Sequence, residues 1–529
     1  MRAPRFLLIL CTLLLFFARL DCPLQEPEET RYAEIPRQML VEGRFAVPVF
    51  HGQTYYDKPP LLYWLVMGSY TLFGVYDWAA RLVSSAAAAG CVLATYWWGR
   101  AAVGSRAALA GAFMLCLSPR FVQLGRMLTM NGLLALCVVV ALAAGHRAMS
   151  TGPLRWRWWL VSAVVCALGI LTKGPVAVVL IAVPLLLYQL WDETVVRPRI
   201  IHWTAYFGAA LAVAAPWFVV VAMRDPSFLG YFFWTHHVVR YVAPLDHAQP
   251  FWYYLPELVL GMLPWAVLLP GLIRYLFGLR AAWRRPGPLG LFVLASLWCV
   301  VFYSASGCKR SGYILPAVPP LALALGCLLD RWLPAQLGVP ALWRARDAWA
   351  YRATSFALLL GLAASVAAAA TGLVPILTGS LWASAAAAAL SLFLTAARSR
   401  TASWGLCTLA TFAVLLIGVL QLLPAYARRY SLREEVAPFT GAARPFAVVC
   451  YPHRWDSVNY YLQRGDVRAY AAEQRDRLMA DVSHQPLTLA FVKSDRSLAD
   501  LLRDLPASLE FLPCVQRNAV TVGWIRPRE

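Results

Sequence analysis

The chain has 529 residues, of which 60% are hydrophobic and only 14% are Asp, Glu, Lys or Arg. A soluble domain carries about 25% charged residues, so this chain lacks the polar surface that water requires and needs a bilayer as its solvent. The net charge of +20 does not indicate a nucleic-acid partner, because the basic residues are dealt out in small groups between apolar runs rather than gathered on one face.

The first apolar run, Phe6 to Leu20, follows Arg2 and Arg5 and resembles a signal peptide. No small-x-small cleavage site follows it, so it reads as an uncleaved first span. Further runs lie near 79–99, 103–118, 128–149, 157–171, 174–191, 203–223, 255–277, 288–306, 312–330, 353–375, 377–396 and 402–424. The predicted fold class is an all-α polytopic membrane protein of about 13 transmembrane helices with a small C-terminal extracytoplasmic α/β domain.

An odd number of spans puts the termini on opposite sides. With the N-terminus in the cytoplasm, every inner connection carries arginine: Arg100 and Arg106, Arg147 to Arg157, Arg197 and Arg199, Arg274, Arg280, Arg284 and Arg285, Arg331 to Arg352, Arg398 and Arg400. That is the positive-inside pattern of a plasma (inner) membrane protein. It divides the chain into a membrane domain, 1–424, and an extracytoplasmic α/β domain, 425–529. Two long outer loops, 21–78 and 224–254, are left to form a site.

In the first loop, the stretch from Glu29 to Glu42 is helix-like and stops at Gly43, with Pro36 expected to kink or split it. In the tail, Phe446 to Cys450, Leu487 to Val492 and Ala519 to Trp524 read as strands and Leu498 to Leu505 as a helix. The 12 cysteines show no metal spacing; Cys450 and Cys514, in the tail, would be free to pair outside the cytoplasm.

Lysine is rare: Lys58, Lys173, Lys309 and Lys493 stand against 43 arginines. The first three fall in outer connections beside turns, in Asp57-Lys58-Pro59-Pro60, Thr172-Lys173-Gly174-Pro175 and Gly307-Cys308-Lys309-Arg310. A compact ammonium suits a phosphate; the alternative is an interfacial anchor that snorkels. The span before Lys173, Trp158 to Leu171, covers only about 20 Å of a roughly 30 Å core. It therefore places Lys173 in a recess or in a thinned membrane.

Glu28 and Glu29 offer a carboxylate base for an acceptor hydroxyl, or simply acids at a helix N-terminus. His236 and His237 with Asp57 offer a divalent-cation site, or interfacial histidines.

Several stretches resemble the aminoarabinose-transferase and protein-O-mannosyltransferase group of integral membrane glycosyltransferases, the C-type fold. They are Glu28-Glu29-Thr30-Arg31-Tyr32-Ala33-Glu34-Ile35, Asp57-Lys58-Pro59-Pro60-Leu61-Leu62-Tyr63-Trp64, Phe73-Gly74 through Ala80-Arg81-Leu82, and Leu171-Thr172-Lys173-Gly174-Pro175. Pro216-Trp217, Gln249-Pro250 to Tyr254, Leu263-Pro264-Trp265 and Lys309 to Leu315-Pro316 continue the match over about residues 25–325.

The resemblance implies inverting transfer from a polyprenyl-phosphate-linked sugar to an envelope acceptor, glycolipid or protein, at the outer face of the membrane. It implies a catalytic carboxylate at Glu28, a divalent metal cation on Asp57 and His237, and phosphate-binding cations at Lys58, Arg240 and Lys309. The chain departs from the pattern at Asn131, where the group's Arg-x-x-Thr-x-Asp run ends in Asp, and at His236, where it has Glu. A transporter is the reading from another class, though no internal repeat supports it; an inactive lipid-binding relative is the other.

Overall fold

In a bilayer no water satisfies the backbone, so an apolar run closes its own hydrogen bonds as a helix, and most of this chain is helical. The computed structural model describes residues 2–150, 152–243, 246–278, 287–332, 340–396, 403–441, 446–517 and 519–528. Among the described residues, eight helices are long and apolar enough to cross a membrane, or ten if two bent pairs each count as one.

Prolines explain both bends. Ser105–Cys116 ends before Ser118, and Pro119 opens the next helix, Pro119–Arg126, at 63° to it. Pro264 separates Phe251–Gly261 from Trp265–Phe277, which turn by 107°. The runs expected near 6–20 and 174–191 form the shorter helices Ala3–Phe17 and Val176–Trp191. Arg280, Arg284, Arg285, Arg398 and Arg400 lie outside the described residues.

Two units are distinguished by their internal contacts. The first comprises Met1–Leu20, Tyr56–Leu65 and Arg81–Leu422. Its interior is built on Met130–Met149 and Ser311–Asp330, whose apolar windows are 78% and 89% buried, whereas Ile200–Arg224, at 33%, turns most of its apolar surface outward. Small residues allow the closest approach: a side chain at Gly111 or Gly326 would overlap the backbone of the facing helix.

The second unit comprises Asp21–Tyr55, Val66–Ala80 and Leu423–Glu529. It begins with Glu28–Val41, one helix of 14 residues that contains Pro36 and is not split by it, followed by Gly43 at φ +65°. Next comes a two-stranded ribbon, β1 (Val49–Phe50) and β2 (Gln53–Thr54). The tail holds β3 (Ala447–Tyr451), β4 (Arg468–Ala469), β5 (Thr488–Lys493), β6 (Leu509–Arg517) and β7 (Val520–Pro527). They form one sheet in the order β4-β3-β5-β7-β6, parallel through β4-β3-β5 and antiparallel through β5-β7-β6.

Alternate side chains face opposite ways along a strand, so the sheet has a core on each face. Val448, Cys450, Leu489 and Phe491 pack with Val458 and Leu462, while Val449, Tyr451, Ala490 and Val492 pack with Leu478 and Leu501. Glu26 caps the Asp456–Leu462 helix, accepting from the Asp456 and Ser457 amides at 2.9 Å each. Cys450 and Cys514 do not pair; both are free, and β5 and β7 separate their strands. Three strand spacings of about 4.8 Å exceed the reach of a disulfide.

The segments read as loops are largely ordered elements. The stretch 21–78 includes the apolar helix Leu61–Phe73, too short to span. The stretch 224–254 contains a ten-residue π-helix, Gly230–Val239.

Candidate functional site

Three lysine- and arginine-bearing segments of the first unit meet around one cavity of about 310 Å³. Lys58 comes from the Asp57-Lys58-Pro59-Pro60 turn. Lys173 is the last residue of Trp156–Lys173. His236, His237 and Arg240 come from the π-helix and the turn that follows it. Pro175, Val176, Val179, Val238 and Val242 give the same cavity an apolar side, and Tyr303, Ser306, Cys308 and Tyr313 close it.

Each cation has a defined partner. Lys58 Nζ lies 2.9 Å from His236 Nε2. An ammonium only donates, so Nε2 accepts and the imidazole is neutral. Burial pushes the Lys58 amine down to about 8; Asp57 opposes the shift, and Arg240 and Arg310 add to it. The same burial, with Lys58, His237 and Arg240 around it, holds His236 far below the usual imidazole range.

Lys173 Nζ donates to Asn131 Oδ1 at 2.8 Å and lies 4.1 Å from the Tyr313 ring centroid. Arg240 Nη2 meets Asp246 Oδ1 at 2.7 Å and Oδ2 at 2.9 Å.

The turn after Lys173 requires its glycine. Gly174 has φ +83°, and a Cβ there would lie 2.7 Å from His237 Nε2. His237 Nδ1 is 2.6 Å from the Phe232 carbonyl, to which it donates. Nε2 lies 3.4 Å from the Lys173 carbonyl oxygen, so it offers a lone pair to a metal only if that long contact is given up. Burial also lowers the His237 imidazole, which favours its neutral form.

Asp57 Oδ1 accepts from Tyr231 at 2.6 Å and lies 3.9 Å from His236 Nδ1. A carboxylate and a neutral imidazole suit a divalent cation shared with a phosphate, but the imidazole beside Asp57 is His236, which already accepts from Lys58, and not His237. These groups do not suit a closed protein cage: among the described residues no group of three His, Cys, Asp or Glu is placed to hold a metal.

The structure thus brings Lys58, Lys173, His237 and Arg240 to one cavity, with Asn131 behind Lys173 and Asp57 beside His236. Lys309 is not in the lining; its Nζ is bonded to the carbonyls of Ser306 and of Gln249, the latter at 3.0 Å. Glu28 belongs to the other unit, where it is the half-buried first residue of its helix. Tyr303, Tyr313 and Cys308 went unremarked as lining in the sequence, although Cys308 and Tyr313 sit close to Lys309 there.

A family model described as dolichyl-phosphate-mannose-protein mannosyltransferase matches residues 57–220, which contain Asp57, Lys58, Asn131 and Lys173. The undecaprenyl phosphate-alpha-4-amino-4-deoxy-L-arabinose arabinosyl transferase of Aeromonas salmonicida is 37% identical over 339 residues, 61% of this chain and 60% of that protein. Its namesake from Aeromonas hydrophila is 35% identical over 320 residues, 57% of this chain and 55% of that protein. The matches thus span less than two thirds of these relatives' length.

The crystal structure of ArnT from Cupriavidus metallidurans bound to undecaprenyl phosphate superposes with a TM-score of 0.80 at 23% identity, covering 98% of this chain and 97% of that one. The mycobacterial arabinofuranosyltransferase AftD superposes at 0.51 and 13% identity, over all of this chain and 40% of its own. The chain is a multi-pass membrane protein with the fold of that ArnT structure. Its resemblance to the aminoarabinose-transferase and protein-O-mannosyltransferase group holds in sequence and in fold.

Proposed function

We propose that the protein is an inverting glycosyltransferase that moves a sugar from a polyprenyl-phosphate donor to an acceptor hydroxyl of an envelope glycolipid, protein or other glycan. The observation that carries this is the cavity's two-sided chemistry. Lys58, Lys173 and Arg240 line it together with Val176, Val179, Val238 and Val242, as an anionic headgroup on an apolar tail requires. The relatives named for an undecaprenyl-phosphate sugar support the donor class.

In this reading the acceptor oxygen attacks the anomeric carbon from the face opposite the phosphate. The bond from that carbon to the phosphate oxygen breaks, and its electron pair leaves with the lipid phosphate. Lys58, Lys173 and Arg240 bind that phosphate and stabilise the charge it gains. Glu28 takes the acceptor's proton. Asp57 and His237 would hold a divalent cation, which adds charge neutralisation at the phosphate. Lys309, bonded to the carbonyls of Ser306 and Gln249, holds those two backbone segments together.

The membrane arrangement is part of the proposal: thirteen spans, a cytoplasmic N-terminus, and an extracytoplasmic tail in an inner membrane. The arginine-bearing connections support it.

The test is transfer from a panel of radiolabelled polyprenyl-phosphate sugars to envelope acceptors, with purified protein in liposomes. Label is expected in one acceptor class, and it should fall with a chelator and return with added divalent metal. Glu28→Gln should reduce turnover by about 10²- to 10⁴-fold, the usual contribution of a general base. Full turnover by Glu28→Gln overturns the base assignment. Lipid binding without transfer from any donor moves the reading to a transporter or an inactive relative.

A further inference from the structure

We propose that Asn131 is a positioning residue that aims the Lys173 ammonium into the cavity while leaving its whole charge to the phosphate of a lipid ligand. The proposal rests on the glycosyltransferase reading and deepens it.

Lys173 lines the cavity, yet everything that holds its Nζ is neutral. Asn131 Oδ1 accepts at 2.8 Å, and the ring centroids of Tyr313 and Tyr303 lie at 4.1 and 5.9 Å. Among the described residues no carboxylate forms an ion pair with Lys173. An amide dipole and aromatic faces orient an ammonium without cancelling its charge.

The amide itself is held in one orientation. Its oxygen faces the ammonium, which can only donate, and its Nδ2 lies 3.4 Å from Thr129 Oγ1. Gly312 packs against that amide: a Cβ there would lie 2.5 Å from Asn131 Nδ2. Lys58 repeats the arrangement independently, donating to the neutral His236 Nε2 at 2.9 Å.

Two half-buried lysines on one cavity are therefore each steered by a neutral acceptor. Buried charge is stable only when it is paired, and an anion in the cavity supplies the pair. A carboxylate in place of Asn131 would supply it from within and compete with the ligand.

Asn131→Asp keeps the shape and adds that carboxylate, so it separates charge from packing. Binding of polyprenyl phosphate and of uncharged polyprenyl alcohol would be measured for the full chain in nanodiscs, with thermal unfolding as the check on folding. Asn131→Asp should weaken the phosphate by about tenfold or more, roughly one lost charge-assisted contact, and leave the alcohol unchanged. In transfer assays kcat/KM for the donor should fall by a similar factor, since Lys173 also stabilises the charge the phosphate gains as it leaves. Lys173→Gln should weaken the phosphate comparably, and adding Asn131→Asp to it should cost little more.

Equal or tighter phosphate binding by Asn131→Asp, or an equal loss for the alcohol, overturns the proposal. A wild-type chain that binds neither lipid overturns the glycosyltransferase reading itself. If Asn131→Asp fails to fold, the Lys173→Gln ratio of phosphate to alcohol binding decides: an unchanged ratio overturns the proposal.

Discussion

Lys58 has lost most of its water and donates to a neutral imidazole, so a phosphate is the natural counter-charge for it. Lys58→Met should raise the donor KM by about 10- to 100-fold, since a hydrogen bond to a charged group contributes about 1.5–3 kcal/mol. Lys58→Arg should not restore it, because a planar fork does not replace a compact ammonium against His236. Titration of the transfer rate with donor checks both; wild-type KM in Lys58→Met removes Lys58 from the phosphate site. That Lys58 and Lys173 stand apart from the other basic residues was legible because lysine is so scarce in this chain, and the structure puts both on one cavity. Two details were not. Lys309 shares the sequence context, but its side chain turns to the carbonyls of Ser306 and Gln249. His236 stood out as a possible cation ligand and as a departure from a pattern but not as a partner of Lys58, because that contact joins residues 178 apart in sequence.

The Lys173-Gly174-Pro175 turn joins two helices and delivers a cation at the end of the first. Its conformation depends on Gly174: φ is +83°, and any Cβ meets His237 and Phe232. Gly174→Ala should therefore cost about 1–3 kcal/mol of stability in backbone strain alone. It should also displace His237, so transfer should fall further than stability does. Thermal unfolding and donor KM measured together check this; an Ala variant with normal His237-dependent activity would refute the contact. At this level the helices were the most legible part of the chain, since uninterrupted hydropathy leaves the backbone one solution. Their interruptions were less so. Pro119 and Pro264 lie at sharp bends, whereas Pro36 sits inside one helix, so proline alone does not say whether a helix ends. The π-helix at Gly230–Val239 had no sequence signal, because its register is a matter of one extra residue per turn.

The composition of the second unit was the least legible feature. Its strands follow from alternating apolar residues in the tail, but Asp21–Tyr55 and Val66–Ala80 join it from nearly 400 residues away. Capping of the Asp456–Leu462 helix by Glu26 is a long-range contact that no local pattern encodes. Which side of the membrane this unit occupies is open to a direct test supplied by its cysteines. Of the 12, Cys514 is the exposed one, Cys327 is half-buried and the other ten are buried. A membrane-impermeant maleimide added to intact cells should label the protein once if the tail is extracytoplasmic, and Cys514→Ser should abolish that label. Cys450, buried on β3 of the same sheet, should react only after unfolding, which controls for the integrity of the unit. Labelling of Cys514 only after the cells are permeabilised would put the tail in the cytoplasm. That result would overturn either the odd number of spans or the cytoplasmic N-terminus in the arrangement proposed above.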